Sequence, residues 1–187
     1  MLRPIEEKDL KWVAEERNNP ECRKWFRQSE LLSIKQQSLW FSTTDMRSYI
    51  AVDDDGHNVG VLSLSHIDPI ARKCEFSIMI IPEYRNHGYG KKALWELLLH
   101  AFSDLNMEQV YSDVFEHNPA LLKYEKWGFK IYGKLPNWYY KNGEYIDSII
   151  ISITKDEYYN SLEQTLPKQE RRLPRSSFDT AEIGSYQ

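Results

Sequence analysis

The sequence predicts an α/β chain of the α+β kind, in which helices flank a mixed, mostly antiparallel central sheet. Three observations carry this. The apolar runs "SYIAV", "NVGVLSLSHI" and "KCEFSIMII" follow one another across short polar loops, as strands of an antiparallel meander do. One long amphipathic helix then leads to a further strand, "QVYSDVFE", and a helical crossover sets that strand parallel to the one before it. Two last strands flank Lys141-Asn142-Gly143, a hairpin turn.

Taken in order, residues 2 to 6 make a short first strand. "EKDLKWVAEERNN" puts Leu10, Val13 and Ala14 on one helical face with Arg17 a turn later, and Asn18, Asn19 and Pro20 stop it. "SIKQQSLWFS" is a second, weaker helix with Ser33 as its cap. The meander's first loop is the Asp53 to Asn58 stretch, and its second is a polar turn from Asp68 to Lys73. The long helix carries Ala93, Leu94, Leu97, Leu98, Ala101, Phe102 and Leu105, the stripe of a helix packed on a sheet. "NPALLKYEKWGF" is a short helix with Asn118 placed to cap it, Pro119 in its first turn and Gly128 at its exit. A domain over residues 1–157 is therefore expected. Beyond it, residues 158–187 are rich in proline and charge and read as a poorly anchored tail.

The chain has 187 residues, 41% of them hydrophobic and 13% aromatic, which suffices for one packed domain and excludes disorder throughout. A net charge of -4 gives no electrostatic footprint for nonspecific nucleic-acid binding. Nothing approaches eighteen apolar residues in a row, and "MLRPIEEKDL" lacks a secretory core, so a cytoplasmic protein without a membrane partner is expected. Cys22 and Cys74 stand in no metal or redox spacing and read as reduced thiols. The five histidines form no ligand pair, so no metal is expected.

"RNHGYGKKALWELLLHAF" sets two glycines at the head of the long helix. Such a turn points main-chain N–H groups at one spot, where the helix dipole also favours an anion. Gly88 to Ala93 matches the relaxed dinucleotide pattern, but Pro82 to His87 separate the strand from the first glycine and the meander is wrong for a doubly wound sheet. A nucleoside-triphosphate loop fails because Lys92, not Ser or Thr, follows Gly90-Lys91.

Arg85-Asn86-His87-Gly88-Tyr89-Gly90 instead resembles the acetyl-CoA signature of the GNAT family of N-acetyltransferases, Arg/Gln-x-x-Gly-x-Gly/Ala after a central strand. Tyr124-Glu125-Lys126-Trp127-Gly128-Phe129 resembles that family's second marker, and the likeness runs from about residue 2 to 155. The resemblance implies a sheet whose parallel strand pair splays apart, with acetyl-CoA as the acetyl donor. It implies coenzyme contacts at Ile80, Ile81, Arg85, Asn86, His87, Gly88, Tyr89, Gly90 and Lys91, and at His117, Asn118 and Lys126. The family's pantetheine-binding Asn falls at His117 here, with Asn118 one place later, so either residue can take that contact.

Acetyl transfer to an amine needs a proton acceptor, an N–H donor for the oxyanion and a proton for the thiolate. By resemblance the oxyanion donor is a main-chain N–H near Ile80 or Ile81, and the acid is Tyr124. The base is Glu116, with Glu75 as the second candidate and His66 nearby. Arg17, Asn18, Trp25, Arg27, His66 and Trp138 are expected to line the acceptor pocket. The stretch from Glu16 to Phe41 resembles acetyltransferases of UDP-linked amino sugars (the PseH-like branch) and those of ribosomal-protein N-termini (the RimJ/RimL-like branch). A nucleotide-linked amino sugar is thus the expected acceptor, with a protein N-terminus or a polyamine as alternative and a non-catalytic acyl-CoA sensor as an alternative of another class. The resemblance also allows a homodimer through the late strands.

Overall fold

The computed structural model describes residues 1–28 and 30–165, with the side chains of 163–165 outside the description. Its elements run β1 (Leu2–Pro4), α1 (Leu10–Asn18), α2 (Pro20–Arg23), α3 (Ile34–Thr43), β2 (Arg47–Val52), β3 (Asn58–Asp68), β4 (Lys73–Ile80), α4 (Tyr89–Leu99), β5 (Gln109–Phe115), α5 (Leu121–Lys126), β6 (Lys130–Lys141), β7 (Glu144–Thr154) and α6 (Lys155–Thr165). The strands form one sheet in the order β1-β2-β3-β4-β5-β7-β6, with β4 and β5 parallel and every other pair antiparallel. The expected mixed, mostly antiparallel sheet with one parallel pair is the architecture found.

Helices cover both faces, and the alternation of side chains along each strand explains why the central strands are apolar on both sides. In β2, Ile50 and Val52 face Leu10 and Val13 of α1, while Ala51 joins the larger core under α4. That larger core is built on Leu94, Leu97, Leu98, Ala101 and Phe102, all fully buried. Burying each such leucine contributes about 1.5–3 kcal/mol. Past Leu99 the helix widens into a π-helical turn, His100–Asp104, which keeps Ala101 and Phe102 on the sheet.

Local chemistry fixes the ends. Ser33 and Gln36 make a reciprocal capping box at the start of α3. Gly128 has φ +95°, and the N–H groups of Gly128 and Phe129 return to the carbonyls of Glu125 and Tyr124. That left-handed exit closes α5 and turns Phe129 into the core. Asn142 and Gly143 have φ +54° and +91°, the paired positive values of a tight hairpin between β6 and β7.

One boundary differs from expectation. Helix α6 runs through residue 157, and Tyr158 is buried, its hydroxyl bonded to the Trp95 carbonyl at 3.2 Å. The helix presents one aromatic stripe to α4, which the polar composition around it conceals. Residues 166–187 of the expected tail lie outside the described residues.

Gly60 sits opposite Ile80 in the β3–β4 ladder, and a Cβ there would stand 2.3 Å from the Met79 carbonyl oxygen. A Cβ at Gly133 would meet nothing within 4 Å. Gly60→Ala is therefore expected to lower stability in urea denaturation by about 1–3 kcal/mol, and Gly133→Ala to stay within about 0.5 kcal/mol of wild type.

Candidate active site

The site follows from where two strands stop pairing. β4 and β5 are in register only over Lys73–Gln109, Cys74–Val110 and Glu75–Tyr111. Beyond that point they diverge, while β4 stays bonded to β3 on its other side as far as Gly60–Ile80. Ile81 N–H donates to the Val59 carbonyl at 3.1 Å. By the alternation of an antiparallel ladder, the N–H groups of Met79 and Ser77 also serve β3, and those of Ile78 and Ile80 point into the gap. Ile81, expected as an oxyanion donor, has its N–H already engaged. Ile80 presents its own N–H to the gap.

At the wide end of the gap stands the glycine turn. Asn86 and Gly88 have φ +66° and +89°, and α4 starts at Tyr89. The first helical bond is Lys92 N–H to the Gly88 carbonyl. Among the described residues, no acceptor takes the main-chain N–H groups from Asn86 to Lys91. Gly88 supplies the left-handed backbone, and Gly90 lies against Ile80, where a Cβ would come within 3.5 Å of its side chain. A run of free amides at a helix N-terminus is a diphosphate cradle. The residues present fit that part of coenzyme A.

Side chains around the turn are placed differently from expectation. Arg85 bonds inward, Nε to the Ile80 carbonyl at 2.9 Å and Nη2 to the Glu21 carbonyl and Cys22 Sγ, so it anchors the turn to α2. Lys126 is exposed, whereas Lys123, one turn earlier on α5, donates to Asn86 Oδ1 at 2.7 Å. Tyr89 packs edge-on against Tyr84, and the Lys91 ammonium lies 5.3 Å from the Trp95 ring centre. His117 lies against Phe115 and Trp25. Asn118 Oδ1 accepts from Ala120 N–H at 2.9 Å, a turn-closing role that holds its amide at the start of α5.

Tyr124 and Glu75 reach the split from opposite faces of the sheet. Tyr124 is buried among Phe76, Trp127 and Phe129, and burial pushes its phenol well above the usual tyrosine range. It therefore carries its proton at neutral pH. Glu75 neighbours Phe76 in β4 and so faces the other way. Its side chain is only 12% exposed and receives His66 Nδ1 at 2.8 Å and Arg27 Nη2 at 2.6 Å.

Asp113, two places beyond the last paired β5 residue, shares that face. It accepts from Tyr139 Oη at 2.5 Å, from Ser148 Oγ at 3.0 Å and from the same Arg27 Nη2. The expected base, Glu116, lies five residues past the last pair, about 16 Å along the strand. Its carboxylate is exposed and paired with Lys134 Nζ at 2.6 Å. The register sets Glu75 and Asp113 together at the opening and Glu116 away from it.

Of the expected acceptor residues, Arg27, His66 and Trp25 lie on this face. Arg17 bonds Gln28 Oε1 at 2.8 Å and is packed near Phe26 and Trp40, where burial lowers its pKa. Asn18 binds both main-chain polar groups of Leu32 at 2.7 and 2.8 Å. Both hold the loop before α3 in place. Trp138 is 56% exposed. Tyr139, its neighbour in β6, points to Asp113 instead, with its ring 5.3 Å from Phe115. Strand alternation would have separated the two, but the bulge between Leu135 and Tyr139 hides the register.

Residues 1–130 match the acetyltransferase (GNAT) domain family. The chain belongs to the GNAT acetyltransferases. Its acetyl donor is acetyl-CoA. Spermidine N(1)-acetyltransferase of Escherichia coli (strain K12) is 30% identical over 161 residues, which are 84% of this chain and 87% of that one. The Vibrio cholerae spermidine N(1)-acetyltransferase is 28% identical over 169 residues, covering 87% and 96%. A crystal structure of spermidine N-acetyltransferase from Vibrio cholerae in complex with CoA and spermine superposes with a TM-score of 0.79 at 26% identity, covering 84% and 96%.

Other features lie apart from the split. Asp53, Asp55 and His57 bring potential ligand atoms within 4.8 Å of one another on the β2–β3 loop, where Asp53 accepts the loop's own N–H groups and the Tyr84 hydroxyl. Cys22 and Cys74 are buried free thiols. Among the described residues no helix is long and apolar enough to cross a membrane.

Gly88→Ala puts a side chain at φ +89°, a conformation costing about 1–2 kcal/mol. Calorimetric Kd for coenzyme A is expected to rise about tenfold, with the melting temperature lowered by several degrees. Tyr124→Phe is expected to leave that Kd within about twofold and to lower kcat by about 10²-fold.

Proposed function

We propose that this GNAT acetyltransferase acetylates a primary amine of a polyamine or a similar small cation. The observation that carries the reading is the cation already held between Glu75 and Asp113. One guanidinium nitrogen bonds both carboxylates, with the guanidinium carbon 5.7 Å from the Tyr139 ring centre. Two shielded carboxylates beside an aromatic face are complementary to an alkylammonium. The names of the Escherichia coli and Vibrio cholerae relatives support the same class.

The nucleotide-sugar acceptor lacks equivalent support. Its phosphates need free cations, and the two arginines expected there are engaged, Arg17 with Gln28 and Arg27 with the carboxylates, while Lys24 between them pairs with Glu21 at 2.6 Å. A helix face rich in basic residues looks like an anion site in sequence, but here Arg17, Lys24 and Arg27 already have partners within the fold.

Acetyl-CoA supplies a thioester, an acyl group activated toward amines. The amide run from Asn86 to Lys91 binds the diphosphate, and the gap between β4 and β5 admits the arm that follows it. Glu75 takes a proton from the incoming ammonium so that the nitrogen becomes a nucleophile. His66, bonded to the far oxygen of Glu75, orients that carboxylate. The N–H groups of Ile78 and Ile80 face the place where carbonyl oxygen gains negative charge. As the C–S bond breaks, Tyr124, protonated and buried, donates to the departing sulfur, and the second proton lost by the nitrogen balances the one that restores the phenol.

Steady-state assays with acetyl-CoA are expected to show turnover of spermidine and none of a UDP-4-amino sugar; the reverse pattern removes this reading. Glu75→Gln is expected to lower kcat by about 10²-fold, while Glu116→Gln stays within about twofold of wild type. A larger loss at Glu116 would return the base to that residue.

A further inference from the structure

We propose that Arg27 is a resident cation occupying the acceptor's ammonium site, and that a cationic acceptor binds by displacing it. This deepens the polyamine reading and rests on it.

Glu75 and Asp113 are 12% and 10% exposed, on neighbouring strands where the sheet opens. Two carboxylates this shielded from water need a counter-cation. Each has one oxygen committed to the fold: Glu75 Oε2 takes His66, and Asp113 Oδ2 takes Tyr139 and Ser148. The remaining oxygens, Glu75 Oε1 and Asp113 Oδ1, converge on one atom, Arg27 Nη2. A point where a single nitrogen satisfies two carboxylates also suits a primary ammonium, which has three N–H donors. Arg27 is no acetyl acceptor itself, because a guanidinium keeps its proton at any working pH.

The occupant is held only by its tip. Arg27 is half exposed, and its guanidinium meets the site from the solvent side. The backbone on both flanks is clamped. Lys141 Nζ donates to the carbonyls of Arg23, Phe26 and Gln28, and Asn18 binds Leu32 through both main-chain groups. Release is thus a side-chain swing into water, with the loop and the pocket wall left in place. Arg27 keeps the carboxylates neutralised when no acceptor is present, and it sets a threshold that an acceptor must exceed by binding better than the guanidinium. Apparent affinity then falls by the fraction of molecules in which the site is free.

The test uses the full chain with Arg27→Gln and Arg27→Met, which remove the competing charge, and Arg27→Lys, which keeps it. Spermidine is the probe, in calorimetry with coenzyme A present and in steady-state assays. Both neutral variants are expected to bind spermidine about tenfold tighter, with KM reduced to match. Their Kd for coenzyme A stays within about twofold of wild type, their melting temperature falls by several degrees without spermidine and recovers when spermidine is added, and the Lys variant stays near wild type throughout. A KM that is unchanged or raised in the neutral variants, with spermidine still acetylated, overturns the proposal and leaves the polyamine reading standing. Spermidine neither bound nor acetylated by wild type or variants removes both.

Discussion

The site exists because β4 and β5 pair for three residues and then part. A continuous parallel ladder would engage the N–H groups of Ile78 and Ile80 and close the sheet. Splaying leaves those donors in a gap whose walls are rigid, since β4 is bonded to β3 and β5 to β7 along their outer edges. The sheet is thus a scaffold on both sides of an opening, and an extended molecule with amide groups can enter it as a strand would.

The contacts that line the opening differ on its two faces. On one, Tyr124, Phe76 and Phe129 form a tight aromatic cluster at 5.4–5.7 Å between ring centres, wedging α5 against the opening. On the other, the charge bridge Glu75–Arg27–Asp113 spans the two strands. The first wedge is apolar and permanent. The second is ionic, so the face proposed to receive the acceptor is the one built from replaceable contacts. Tyr124 and Glu75, the proposed proton donor and acceptor, stand on opposite faces of the sheet.

Much of this was legible in the chain of residues. The strands read as apolar runs because the sheet is covered on both faces, and the α4 stripe of Ala93, Leu94, Leu97 and Leu98 reports a helix on that sheet. Gly88-x-Gly90 is legible because a left-handed φ leaves a residue-type signature, as does Gly128 at the end of α5. Main-chain roles leave none: which of Ile80 and Ile81 has a free N–H depends on the partner strand, Val59 included. Charged side chains were the hardest to assign. Arg85 and Arg17 look like ligand-binding cations until their partners, a carbonyl of β4 and a glutamine of the next loop, are seen. The roles of Asp113 and Tyr139 leave little trace in sequence, because one pairs across 86 residues with Arg27 and the other follows a bulge.

Amide hydrogen exchange along β4, followed residue by residue by NMR with and without coenzyme A, tests the opening most directly. In the free protein the N–H groups of Ile78 and Ile80 should exchange fast while those of Ser77, Met79 and Ile81, which alternate with them, are protected. Adding the coenzyme should slow Ile78 and Ile80 and the run from His87 to Lys91. Uniform protection along β4 in the free protein, or no change at Ile78 and Ile80 once the coenzyme is bound, would contradict the account.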